Sequence, residues 1–150
     1  MYGFSQQVEK QVLDRNGYPT FVKFNTKAKT VSKSETKAVL SSLFNMTKND
    51  EYRTLKSEKD KVGFTHEKFQ QYYKGVKVEY GVYIVHSRNN VIETLNGEYK
   101  VIKDVDVTPT LSKEAAIEKA KSFVNAEAYK WDVDKAFAPT SELVVVANDY

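Results

Sequence analysis

Cysteine is missing from this 150-residue chain. Its absence excludes a disulfide framework, a thiolate nucleophile and a cysteine-ligated zinc site, and says nothing about compartment. Histidine is almost as scarce, with only His66 and His86. No apolar run is long enough to span a bilayer. No secretory leader is visible, because Met1-Tyr2-Gly3-Phe4 leads straight into polar Ser5-Gln6-Gln7. The chain also lacks a glycine-rich phosphate loop and a Gly-x-Ser-x-Gly elbow. Acidic residues are plentiful, but no pair is singled out by its surroundings, so a glycosidase-type dyad has no support.

What is present suits a soluble globular protein: 41% hydrophobic and 29% charged residues. A chain of this length buries roughly 70% of its unfolded surface. The net charge of +3, from 23 basic and 20 acidic residues, is mild. Lys23, Lys27, Lys29, Lys33 and Lys37 make one segment locally basic. It reads as a solvated face rather than a nucleic-acid patch, since specific binders cluster charge on a docking element.

Residues 1–20 are weakly patterned and end in the turn signal Asn16-Gly17-Tyr18-Pro19. Phe21-Val22-Lys23-Phe24 reads as a short strand. Ser32-Lys33-Ser34-Glu35 is a capping box, opening a helix whose apolar face holds Val39, Leu40, Leu43 and Met46 and which ends near residues 47–50. The period then becomes strand-like. Residues 51–56 form a strand, with Glu58-Lys59-Asp60 as its turn. Lys74-Gly75, Asn89-Asn90 and Asn96-Gly97 are read as three further hairpin turns, because type I′ turns need positive φ at both central positions. The result is an antiparallel meander in sequential order. A second helix starts at Ser112, with Glu114 placed against the positive end of the helix dipole. Its stripe is Ala116, Ile117, Ala120, Phe123 and Val124; Trp131 and a strand at residues 143–146 follow.

The densest pattern is GFTHEKFQQYYKGVKVEYG, residues 63–81. Gly63, His66, Lys68, Phe69, Gln70, Gln71, Tyr72, Gly75, Val76, Val78 and Gly81 fall in step with a glycine, a histidine, a basic then an aromatic residue, Gln-Gln, and Gly-Val-x-Val. This run resembles the fungalysin/thermolysin propeptide motif found in pro-segments of thermolysin-type zinc metallopeptidases. Leu111-Ser112-Lys113-Glu114-Ala115-Ala116 resembles the opening of the PepSY module that follows it in such pro-segments, here only partly represented. The resemblance implies an α+β fold: an antiparallel meander covered by a capped helix, then a second helix and strand. It implies an N-terminal extension at 1–20, a propeptide domain at 21–106 and a partial PepSY-like module at 107–150. It further implies a non-catalytic pro-segment, without cofactor or metal, whose partner is the peptidase domain of the same precursor. That pro-segment acts as an intramolecular chaperone, an inhibitor, or both. The precursor is secreted or periplasmic, with its leader outside these residues. The other readings are a free-standing secreted binding protein or protease inhibitor built from the same modules, and a surface-associated structural module. The motif positions, with Asn96 and Gly97, are either structural or partner contacts.

Residue chemistry can be weighed beside the resemblance. His66-Glu67-Lys68-Phe69-Gln70 falls short of the zinc-peptidase pattern His-Glu-x-x-His, with Gln70 where the second imidazole belongs. With a two-residue Lys74-Gly75 turn and an unbroken ladder, Tyr73 pairs with Val76 and His66 lies opposite Tyr83. The two histidines then point to opposite faces, unless a bulge at Gly81 flips the register. Val76, Val78, Tyr80, Val82 and Ile84 would form the face beneath the first helix. Glu67 and Gln71 join that face, where an unpaired amide costs about 1–3 kcal/mol, so Gln71 either bonds to backbone or lies at the sheet margin. Tyr72, Tyr73, Tyr80 and Tyr83 are expected in core and interface rather than stacked on bases, since Glu67, Glu79 and Glu93 are interspersed.

Overall fold

The computed structural model describes residues 7–27 and 30–147. The Met1-Tyr2-Gly3-Phe4 segment, where no secretory leader was expected, and Lys29 of the basic segment lie outside them. The chain divides into two compact units: one runs to Val105 and includes Val145, the other is Asp106–Val144.

Six strands build the first unit: β1 (Val8–Leu13), β2 (Pro19–Phe24), β3 (Asp50–Lys59), β4 (Phe64–Tyr73), β5 (Val76–Arg88) and β6 (Val91–Gly97). Helix α1 (Thr36–Phe44) lies between β2 and β3 in sequence. The sheet order is β1-β2-β6-β5-β4-β3, antiparallel at each of these pairings. β3 to β6 are therefore a sequential meander, as expected, and the fold is α+β. Val145, in the two-residue strand β7 (Val144–Val145), pairs with β5 off this path.

Local chemistry explains the entries and turns. Ser32 caps a short 3-10 turn, Lys33–Glu35, that leads into α1. Its N–H donates to Glu35 Oε2 at 2.8 Å, and its Oγ accepts from Ser34 N at 3.3 Å. This satisfies orphan groups that a helix start leaves open. The helix stops at Phe44, before residues 47–50, because Asn45 takes a left-handed conformation (φ 48°). Two hairpins turn on paired positive φ at Lys74 (47°) with Gly75 (80°) and at Asn89 (50°) with Asn90 (64°), the requirement of a type I′ turn.

One face of the sheet and α1 enclose the core. Val39, Leu40 and Phe44 pack among Val22, Phe24, Tyr52, Phe69, Tyr83, Val85, Ile92 and Leu95. Phe44 stacks on Tyr99 (4.5 Å, 14°) and meets Tyr83 edge-on (5.1 Å, 71°), geometries aromatic pairs favour. Leu43 and Met46 are only partly buried against this cluster.

Several expectations are corrected. Residues 8–13 form a strand although nearly all are exposed, so there is no apolar alternation to announce it. β3 runs to Lys59, and its turn lies later, where Asp60 Oδ1 accepts from Val62 N and Phe64 N. Asn96-Gly97 is not a hairpin: Asn96 pairs with Ile84 and Gly97 with Tyr83 inside the ladder. The face beneath α1 holds Tyr83 and Val85, whereas Val82 and Ile84 lie half-buried on the other side.

The second unit contains α2 (Lys113–Val124), α3 (Lys130–Val133) and a 3-10 turn at Lys135–Phe137. Ser112 Oγ caps α2 by accepting from Ala115 N at 3.1 Å. Glu114 titrates below the usual carboxylate range because it accepts a backbone hydrogen bond at the helix start and one from Ser112. No residue from 106 to 144 is buried. Phe123, expected in the apolar stripe, is 91% exposed. Ala116, Ile117, Ala120 and Val124 instead line a groove with Tyr129, Trp131 and Pro139.

Candidate functional site

The motif residues converge on the β4–β5–β6 part of the meander, where the ladder is irregular. Tyr72 pairs with Lys77 and Gln70 with Val82, so Gln71 alone faces Val78, Glu79, Tyr80 and Gly81. This is a wide bulge on β5, and it includes Tyr80 at φ 61°. A bulge strands main-chain carbonyls, and Gln70 collects them. The buried Gln70 Nε2 reaches Val78 O at 2.6 Å, Gly81 O at 3.0 Å and Gln71 O at 3.1 Å.

Gln71 works in the opposite direction, toward the helix side. It is fully buried, with its amide paired to the backbone of one residue beyond β6. Nε2 donates to Lys100 O at 2.7 Å, and Oε1 accepts from Lys100 N at 2.9 Å. The side chain thus supplies both bonds of a ladder rung. It pins the exit segment so that Tyr99 reaches its place against Phe44. Both groups of the buried amide are satisfied, as burial demands. Gly81 makes room for it: a Cβ there would sit 2.7 Å from Gln71 Oε1 and 2.9 Å from Gln71 Cβ.

Gly97 serves the same region. A Cβ at this position would lie 2.2 Å from Val82 O and 2.6 Å from Tyr83 Cα. Glycine is required there for close backbone approach rather than for a turn. Opposite it, the buried Tyr83 donates its hydroxyl to Pro19 O at 2.8 Å, and burial pushes that hydroxyl's pKa up. Phe69 is in the core and Val78 is fully buried. Glu67, also on the helix side, is paired with Lys33 at 3.5 Å.

The bulge overturns the expected placement of the histidines. Displacing the ladder by an odd number of residues flips the faces, and His66 lies opposite His86, not Tyr83. Their Nδ1 atoms are 2.6 Å apart and the rings meet edge-on at 4.8 Å. His66 Nε2 is 3.1 Å from Asp60 Oδ2, and His86 Nε2 is 2.7 Å from Asn96 Oδ1. His66 also stacks on Phe64, at 6.2 Å and 18°. Desolvation raises the Asp60 carboxyl, but hydrogen bonds from Phe64 N, His66 and Val62 N outweigh it and hold the group below its ordinary range. The nitrogen pair is at hydrogen-bond distance. Two tetrahedral zinc bonds of about 2.0–2.1 Å would need the nitrogens farther apart. No cluster of three or more histidine or acidic residues arranged for a metal ion occurs among the described residues.

Other motif positions face outward. Lys68 is exposed, and Tyr72 and Val76 are half-buried. The Arg53 guanidinium lies 4.0 Å from the Tyr72 ring centre, a cation–π contact. Tyr80, lifted by the bulge, is 70% exposed. Gly63 (φ 92°) closes the Asp60 turn. Asp60 and Lys100 complete the site without having been singled out in the sequence. Asp60 was read only as a turn residue, and Lys100 contributes backbone alone, which leaves no side-chain signal.

No helix among the described residues is long and apolar enough to cross a membrane. The search of curated proteins found no match to the chain. The bulged meander, with Gln70, Gln71 and Gly81 locked together, coincides with the segment that matches a family model: residues 50–99 match the Fungalysin/Thermolysin Propeptide Motif.

Proposed function

We propose that the chain is the propeptide region of a secreted thermolysin- or fungalysin-type zinc peptidase precursor, acting on its peptidase domain as folding chaperone, inhibitor, or both. The observation that carries this reading is the coincidence of the family match at residues 50–99 with the meander. The chain has no catalytic role of its own. A partner that binds only the folded peptidase shifts that domain's folding equilibrium toward the native state. A rigid template is needed for this, and the Gln70 and Gln71 bonds make one from an irregular sheet. Lys68, Tyr80 and the Arg53–Tyr72 pair are the candidate contacts, since aromatic and arginine side chains anchor interfaces. The second unit is assigned to a partial PepSY-like module on the resemblance of its opening at Leu111–Ala116.

The test has two steps. The reading frame continuing past Tyr150 should encode a zinc-peptidase domain. That domain, unfolded and diluted with this chain, should recover activity in higher yield and co-elute with the chain before cleavage. A stop codon directly after Tyr150, or unchanged yield with no complex on a sizing column, would favour the free-standing binding protein.

A further inference from the structure

Strand β5 outruns β6, which pairs with it only over residues 83–88. Glu98 N adds one bond, to Val82 O at 2.8 Å, and Lys100 then bonds to the Gln71 side chain instead. On the other edge β4 pairs with Val76, Lys77 and Val82, and across the bulge the Gln70 side chain takes Val78 O and Gly81 O. Residues 83–88 thus have a strand on both edges. Since β7 (Val144–Val145) also pairs with β5, its place is within residues 76–82, on the edge that β6 does not reach.

The hold of β7 is slight. It has two residues, against about five or six in a typical strand, and Val146 beside it is 62% exposed. Val78 and Val145 are buried, yet neither belongs to the core cluster around Phe44, so Val145 is not anchored in the main core. The outer edges of the sheet differ. β3 carries Glu51, Arg53, Lys56, Glu58 and Lys59 with an irregularity between Thr54 and Lys56, and β1 carries Glu9 and Lys10 with two irregularities. Charges and bulges blunt an edge against pairing. At the start of β5, Val76 and Val78 share one face, while Lys77 and Glu79 on the other neutralise each other at 3.1 Å.

We propose that the 76–82 edge of β5 is a strand-acceptor site for an extended apolar segment of a partner protein, which displaces Val144–Val145 and pairs in their place. The cis strand shows the chemistry that the site takes: main-chain N–H and C=O groups in the plane of the sheet, and a β-branched apolar side chain at the position of Val145. In such strand addition the main-chain bonds supply affinity, and alternate side chains supply selectivity. A partner strand of ordinary length forms more of these bonds than a two-residue strand can. Only molecules whose cis strand is released are competent, so the apparent affinity is lowered by that fraction. The proposal does not depend on the propeptide reading.

The test titrates the intact, isotope-labelled chain and its Val145→Asp variant with a blocked synthetic peptide of the sequence of residues 141–147, following amide shifts and exchange by NMR. In the wild-type chain the peptide should shift the amides of residues 76–82 and speed exchange at Val145. In the variant those β5 amides should exchange roughly tenfold faster before the peptide is added, and the peptide should restore their protection. It should also bind the variant about tenfold more tightly, because no cis strand competes. The same peptide carrying Val145→Pro lacks a main-chain donor and should bind about tenfold more weakly. No shift within residues 76–82, equal affinity for the two chains, or undiminished binding of the proline peptide would overturn the proposal. So would a dimer on a sizing column with the site filled by Val145 of a second copy. If Val145→Asp does not fold, the wild-type titration with the two peptides decides alone.

Discussion

The two units begin their helices alike and end up very differently. Ser32 and Ser112 each cap a helical start with a hydroxyl. In the first unit the helix covers a sheet and buries Val39, Leu40 and Phe44 almost completely. In the second, the groove along α2 leaves Phe123 and Val133 each 91% exposed. Capping is a local matter between a side chain and its next three residues. Burial needs a facing surface, which the meander supplies to the first helix. Stability should therefore reside in the first unit, above all where Gln71, Gly81 and Gly97 permit close approach of chains.

Substitution can break this contrast at several strengths. Gly97→Val should have the largest effect, about 3–4 kcal/mol in chemical denaturation. It combines a clash against Val82 O and Tyr83 with a φ of 151° that side chains resist. Gln71→Ala should follow at about 2–3 kcal/mol, because it strands the N–H and carbonyl of Lys100 and empties a buried site. Loss of Tyr99 packing, read as a near-ultraviolet circular dichroism change, should accompany it. Gly75→Val meets no neighbouring atom and suffers only from its φ of 80°, for about 1–3 kcal/mol. Phe123→Ser should move the main unfolding transition by less than about 0.5 kcal/mol, as surface changes do. A larger shift there would mean that α2 belongs to the cooperative core.

The same contrast shows what could be read in advance. The capping box at Ser32 and Glu35, the Ser112 cap, and the turns at Lys74-Gly75 and Asn89-Asn90 rest on short-range rules and were legible. A backbone partner for Gln71 was one of the two outcomes expected, the other being a place at the sheet margin, and the partner, Lys100, is 29 residues away. The bulge was harder. Its positive φ falls on Tyr80, a residue type that does not advertise one, and only Gly81 hinted at it. Because the slip is by an odd number of residues, one unforeseen feature exchanged the two faces of β5 and brought the histidines together. Asn96-Gly97 misled for a related reason: glycine serves backbone contact as well as turns. β1 gave no warning, since an exposed edge strand need not alternate.

Hydrogen exchange of the chain, alone and mixed with a thermolysin-type peptidase domain as the proposed partner, tests the central claim most directly. The account predicts that binding adds protection within residues 50–99, around Lys68, Tyr72 and Tyr80, and little along α2. Added protection confined to residues 113–124, or none anywhere in the chain, would contradict it.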